Sequence, residues 1–186
     1  MKFVDNYKIN TEYFTIKKKN SNEDKFPLVI GEVFIISKKG IIKKEFKLPN
    51  KILNGAGLML AQFCQNETLS GLTYIAVGTG DPSWGDNPPE PDVTQTELVA
   101  EIYRKPIMVR RYLDESFNTV PGPTRIIEVE VTFMEHEANG PWREMGLFGG
   151  NATADLNSGY LFAARNFKVK NKEDDEQVSI AWRLYF

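Results

Sequence analysis

The chain of 186 residues contains one cysteine, Cys64, and one histidine, His136. A lone thiol excludes an intramolecular disulfide, so packing must hold the fold without a staple, which fits folding in a reducing cytoplasm. One histidine and one cysteine are too few soft ligands for a zinc site, and neither a metal nor a cofactor is expected. Excess positive charge is also missing: 23 lysines and arginines stand against 25 carboxylates, for a net charge of -2 and a pI near 5.6. A protein built to grip phosphate backbones is clearly basic, so nucleic acid is not an expected partner. The run Lys17-Lys18-Lys19 is offset by Glu23 and Asp24 and reads as a solvated segment. No stretch is apolar enough to span a bilayer, and the polar start after Met1 has no secretory h-region. The expectation is synthesis in a cytoplasm without a membrane partner.

Hydrophobic residues make up 41% and charged residues 26% of the chain, an ordinary globular balance. Residues 1–27 are polar up to Pro27 and read as an N-terminal arm in which Phe3, Tyr7 and Tyr13 are candidate anchors to a neighbour. Residues 28–186 read as one β-rich domain. Leu28 to Ser37 and Ile41 to Leu48 flank Lys38-Lys39-Gly40 and predict a hairpin. Ile52, Ala56, Met59, Leu60 and Phe63 recur at helical spacing, so the main helix is placed at about 50–66 with Asn50 as its N-cap. Gly55 and Gly57 weaken that helix and imply a backbone passing close by.

Leu72 to Val77 predicts a strand entering Gly78-Thr-Gly-Asp81 and a proline-rich loop that contains Trp84. Thr94 and Glu97 have capping-box spacing and predict a helical turn that Pro106 stops. Ile107 to Leu113 predicts a further strand. Arg125 to Met134 alternates cleanly, with Ile127, Val129, Val131 and Phe133 on one side. Asn139-Gly140 then predicts a hairpin turn into Pro141 to Phe148, with Trp142, Glu144, Gly146 and Phe148 on one face. Gly159 to Val169 and Val178 to Phe186 are the last strands. The sum is mainly β: an antiparallel sandwich or flattened barrel with one main helix and an extended N-terminal arm.

No catalytic constellation emerges, and the chain is not expected to be an enzyme. His136 sits between Glu135 and Glu137, but alternation along a strand would point them to opposite sides. Gly78-Thr-Gly-Asp81 lacks the lysine of a P-loop and the later glycine of a dinucleotide site, so it reads as a tight turn. Cys64 reads as a small buried thiol. No nucleophile elbow is present, and no carboxylate pair is singled out for glycan hydrolysis. Trp84 is the exception. A large aromatic in a surface loop fits an interface or sugar stacking.

The order of motifs carries a resemblance. Asn-Gly-Ala-Gly-Leu (54–58) is followed by Leu-Thr-Tyr-Ile-Ala-Val-Gly-Thr-Gly-Asp (72–81) and the proline-rich loop. Thr-Gln-Thr-Glu-Leu-Val-Ala-Glu-Ile-Tyr-Arg-Lys-Pro-Ile (94–107), Glu-Ala-Asn-Gly-Pro-Trp-Arg-Glu-Met-Gly-Leu-Phe-Gly-Gly (137–150) and Ser-Gly-Tyr-Leu-Phe-Ala-Ala-Arg (158–165) come next. From about Asn50 onward this resembles small virion proteins of tailed bacteriophages and the N-terminal attachment region of phage tail-collar fibre proteins. The resemblance implies a structural, non-enzymatic role in the virion: a tail, baseplate or fibre-attachment protein that forms a homo-oligomer and binds other virion structural proteins. No shaft or receptor-binding tip follows Phe186, so an adaptor or a capsid-associated part also fits. A carbohydrate- or receptor-binding β-module engaging a host-surface glycan through Trp84 and Trp142 is the competing expectation.

Overall fold

A computed structural model describes residues 29–40, 42–67 and 69–186, and at 42–44 the backbone alone. The arm at residues 1–27, with Phe3, Tyr7 and Tyr13, lies outside the described residues. Among the described residues eleven strands and one helix follow in the order β1 (Ile30–Lys39), β2 (Ile42–Pro49), β3 (Lys51–Ile52), α1 (Asn54–Cys64), β4 (Ser70–Gly78), β5 (Glu101–Pro106), β6 (Val109–Leu113), β7 (Thr119–Val120), β8 (Ile126–Phe133), β9 (Gly140–Gly150), β10 (Tyr160–Lys172) and β11 (Gln177–Tyr185).

The strands form two antiparallel sheets. The six-stranded sheet runs β2-β1-β11-β8-β6-β7 and the five-stranded sheet β3-β10-β9-β4-β5. Period-two alternation explains how they pack. Val33 and Ile35 of β1, Val129, Val131 and Phe133 of β8, and Val178, Ile180, Trp182 and Leu184 of β11 face inward from the first sheet. Ile75 and Val77 of β4, Met145 and Leu147 of β9, and Phe162 of β10 meet them from the second. The expected sandwich is therefore present. Each fully buried large aliphatic or aromatic side chain contributes about 1.5–3 kcal/mol relative to exposure.

On its outer side the six-stranded sheet carries an in-register charge ladder. Glu32 pairs across with Arg183, Arg183 with Glu128, and Glu128 with Arg111. Glu128 receives Arg183 at 2.7 Å and Arg111 at 2.9 Å. Arg183 also lies 4.7 Å from the ring of Phe34 and 4.3 Å from that of Phe117.

Several local expectations change. First, β8 and β9 are not a hairpin. They belong to different sheets, and the 134–139 segment carries the chain from one layer to the other. The Asn-Gly turn signal is local, but positive φ at His136, Ala138 and Gly140 bends the chain out of the plane that a two-residue hairpin would keep.

Second, β9 does not keep one face. Trp142 packs into the inter-sheet core against Phe133, with ring centroids 5.2 Å apart, while Phe148 lies in a second cluster with Leu53, Ala76, Leu98, Leu161 and Ala164. A register shift against β10 between the Trp142 and Glu144 pairs changes the phase.

Third, α1 begins at Asn54, with Leu53 as its N-cap and no side-chain cap bond. Asn50 lies three residues before that cap, its backbone N–H donating to Gly31 O at 3.2 Å. Fourth, no helical turn forms at Thr94. Asp92 accepts both the N–H and the hydroxyl of Thr94, and the segment from Glu101 onward is strand β5. Cys64, expected inside, is exposed because the last turn of α1 runs past the body of the fold.

Candidate functional site

The segment 79–100 links β4 to β5, and 151–159 links β9 to β10. Both are anchored over the outer side of the five-stranded sheet. Their anchors are buried polar side chains.

Glu144 on β9 has no exposed surface. Its Oε1 accepts from the N–H of Ala100 at 2.7 Å and of Gly80 at 3.1 Å, and its Oε2 from the N–H of Val99 at 2.9 Å. One carboxylate thus fastens both ends of the 79–100 loop. Burial pushes its pKa upward, and the three N–H donors oppose that shift. The Gly-Thr-Gly segment therefore supplies one donor, the Gly80 N–H, to a cradle that Val99 and Ala100 complete, and the anion held there is the chain's own carboxylate. Gly78 and Gly80 make the approach possible: a Cβ at Gly78 would stand 2.5 Å from Glu144 Oε1, and Gly80 has φ +56.

Arg104 and Glu101, one β5 side chain 2% and the other 0% exposed, form the second anchor. The guanidinium meets the carboxylate through Nε at 2.6 Å and a terminal nitrogen at 2.8 Å. Its other terminal nitrogen donates to Ser158 O at 3.0 Å, Ser158 Oγ at 2.9 Å and Thr153 O at 3.1 Å. Glu101 also accepts the N–H of Asn157 at 2.8 Å, and the guanidinium lies 4.4 Å from the Phe148 ring. A bond from Leu98 N–H to Asn157 Oδ1 at 3.2 Å joins the two loops.

Trp84, the candidate interface residue that lies within the described part, is half-buried. Its ring rests on Gly80, where a Cβ would fall 2.5 Å from Cζ3, and Arg143 Cβ borders the same spot. Its backbone N–H donates to Asp81 O at 3.0 Å, closing the turn that Asp81 also holds by accepting the Ser83 N–H at 2.8 Å. The structure therefore places the Trp84 ring on Gly80, beside the Glu144 cradle. Trp142 is fully buried, and its Nε1 donates to Ala138 O at 2.6 Å, so it has no face to offer a sugar.

Sequence reasoning missed Glu144, Glu101 and Arg104. A signal was present for the first: a carboxylate immediately before the uncharged run Met-Gly-Leu-Phe-Gly, in a chain whose Gly78 and Gly80 leave room for it.

His136 lies in the 134–139 loop, where its Nδ1 is 2.6 Å from Asp174 Oδ2, a contact that raises its pKa. Among the described residues no three His, Cys, Asp or Glu side chains group as a metal site would require. An open cleft of about 280 Å³ lies between Phe46 and Asn171, but its charges already pair with each other, Lys170 with Glu176 at 2.8 Å. No helix among the described residues is long and apolar enough to cross a membrane. No family model matches the chain, and no curated protein matches it.

Proposed function

We propose that this protein is a structural component of a tailed-bacteriophage particle, a tail, baseplate or fibre-attachment part that assembles with copies of itself and with other virion proteins. One observation carries the reading. Separate motifs behind the resemblance meet in two linked anchors, Gly80 with Glu144 and Arg104 with Ser158. Charges that are fully occupied in holding loops favour a scaffold over a reactive centre. The proline-rich loop, rigidly seated by Glu144, is then a surface for contact with neighbouring proteins.

The test is physical association. Particles purified from infected cells contain the protein in a fixed number of copies, and the isolated chain is larger than 21.2 kDa in solution by light scattering. Absence from purified particles would overturn the proposal. A second reading, binding of a host-surface glycan, rests on Trp84 alone, because that residue is only half-buried in a surface loop. Glycan-array binding abolished by Trp84→Ala supports it, and no binding to any glycan removes it.

A further inference from the structure

Arg104, Arg111 and Arg183 each meet a carboxylate. Arg165 on β10 does not. It has no ion pair or hydrogen bond among the described residues, and its Nε is buried. Its register partner is Met145, and Ala163 and Phe167, two positions to either side, belong to the inter-sheet core. The Arg165 side chain therefore enters the space between the sheets. Its terminal nitrogens are not closed off as Nε is, so a solute can reach the head. A half-buried guanidinium without a counter-charge is costly until an anion joins it.

Asn50 stands beside it. Lys51 pairs with Ala164 and Ile52 with Ala163, so Asn50 and Arg165 are the next positions along the two segments. The carboxamide also reaches inward. It lies over Gly31 of the six-stranded sheet, where a Cβ would stand 2.3 Å from Oδ1 and 2.7 Å from Nδ2. Gly31 is buried and alternates with Val33 and Ile35 on the core side of β1. Both polar atoms of the Asn50 side chain are buried, and neither has a partner. Buried amides in folded proteins are almost always paired, so an unmet donor and an unmet acceptor together mark a place for a polar guest. Glu32, next to Gly31, faces the other side of the sheet and pairs with Lys47 at 2.9 Å.

We propose that Arg165 and Asn50 form a binding site for inorganic phosphate between the two sheets. The unmet groups select the ion. Arg165 Nε–H and the Asn50 amide N–H need an acceptor, which any oxyanion supplies, and its charge offsets the guanidinium. Asn50 Oδ1 needs a donor, which only a protonated oxyanion adds. Inorganic phosphate keeps at least one proton at neutral and slightly alkaline pH. Sulfate has none, and a phosphomonoester loses its last one near pH 6, with a second pKa of about 6. The site lies on the inward side of the five-stranded sheet, away from Glu144 and Trp84, and it does not depend on the particle reading or the glycan reading.

The test titrates the full chain with inorganic phosphate, sulfate and glycerol 3-phosphate, each at slightly alkaline pH and fixed ionic strength. Phosphate is expected to raise the thermal midpoint by about 5 °C at about a hundredfold excess over its dissociation constant. It is also expected to shift the Arg165 Nε–H resonance in a saturable way. Sulfate and glycerol 3-phosphate, which leave Asn50 Oδ1 without a donor, are expected to bind about tenfold more weakly. Two variants remove the site by different routes. Arg165→Met takes away the unpaired charge, and Asn50→Asp supplies the missing anion from the chain itself. Both are expected to lose the phosphate response, and Asn50→Asp to melt above the wild type when no phosphate is present. A wild type indifferent to phosphate, equal affinity for the three anions, or a response retained in a folded variant overturns the proposal. Each variant is read on its own, so one that fails to fold leaves the other to decide.

Discussion

At the residue scale the molecule depends on a few polar groups placed where water cannot reach. Glu144→Gln keeps the shape but replaces one carboxylate oxygen with a donor that must face a backbone N–H of Gly80, Val99 or Ala100. An unsatisfied buried donor costs about 1–3 kcal/mol, so the urea midpoint is expected to fall by a corresponding amount. An unchanged midpoint would mean that the loop is held by other contacts. His136 shows the opposite case, an exposed pair with a clear pH signature. Its contact with Asp174 raises the imidazole pKa above 6.5 and lowers the carboxyl below 3.8. The contribution of the histidine is therefore fully present below pH 6.5 and lost as pH rises through the raised value. That of the aspartate is present above pH 3.8 and lost as pH falls through the lowered one. NMR titration of the His136 ring is expected to give a midpoint above 6.5 that returns toward 6.5 in Asp174→Asn; equal midpoints would show that the pair does not form in solution.

At the element scale, α1 makes the effect of its two glycines separable. A Cβ at Gly55 would lie 2.3 Å from Leu161 O, a backbone atom of β10 that cannot step aside, whereas nothing stands within 4 Å of one at Gly57. Gly57→Ala is expected to stabilise the protein by about 0.5–1 kcal/mol through helix propensity. Gly55→Ala is expected to destabilise it, because the helix must move off β10. Thermal melts of the two variants check the pair, and shifts of the same sign would refute this account. The same helix shows what was legible in advance. Its existence, its apolar residues and the close backbone at Gly55 follow from spacing and composition, but the close backbone expected at Gly57 as well is not there, since that position faces open space. Its start did not, because Asn50 has the chemistry of a cap but sits by Gly31, where the chain crosses between the sheets. The β8–β9 connection failed for the same reason: Asn139-Gly140 specifies a local reversal but not whether the returning strand enters the same sheet.

At the scale of the whole molecule, strand membership follows from alternation, but strand order does not. Val129, Val131 and Phe133 identify a buried face on β8, yet nothing in that run says that its neighbours are β11 and β6 rather than β9. The site was hidden for a related reason. Glu144 meets Gly80 across 64 positions of sequence, and Arg104 meets Ser158 across 54, so neither pairing has a local signature. The resulting order makes a definite demand on dynamics. β9 is flanked by β10 and β4, and β11 by β1 and β8, so their amides sit between bonded neighbours on both sides. By contrast, β2 and β7 each end a sheet. Amide exchange is expected to be slowest in β9 and β11 and fastest along β2 and β7, since opening free energy follows burial and bonding of the backbone. The 79–100 loop then becomes the informative element. Ordinary surface loops exchange quickly, but the amides of Gly80, Val99 and Ala100 are held by a buried carboxylate. They should exchange at least about tenfold more slowly than the amides of Gly85 and Asn87 in the same loop, and Glu144→Gln should abolish that difference. Uniformly fast exchange through the loop in the wild type would refute the claim that Glu144 fixes it, and with it the rigid contact surface on which the assembly reading relies.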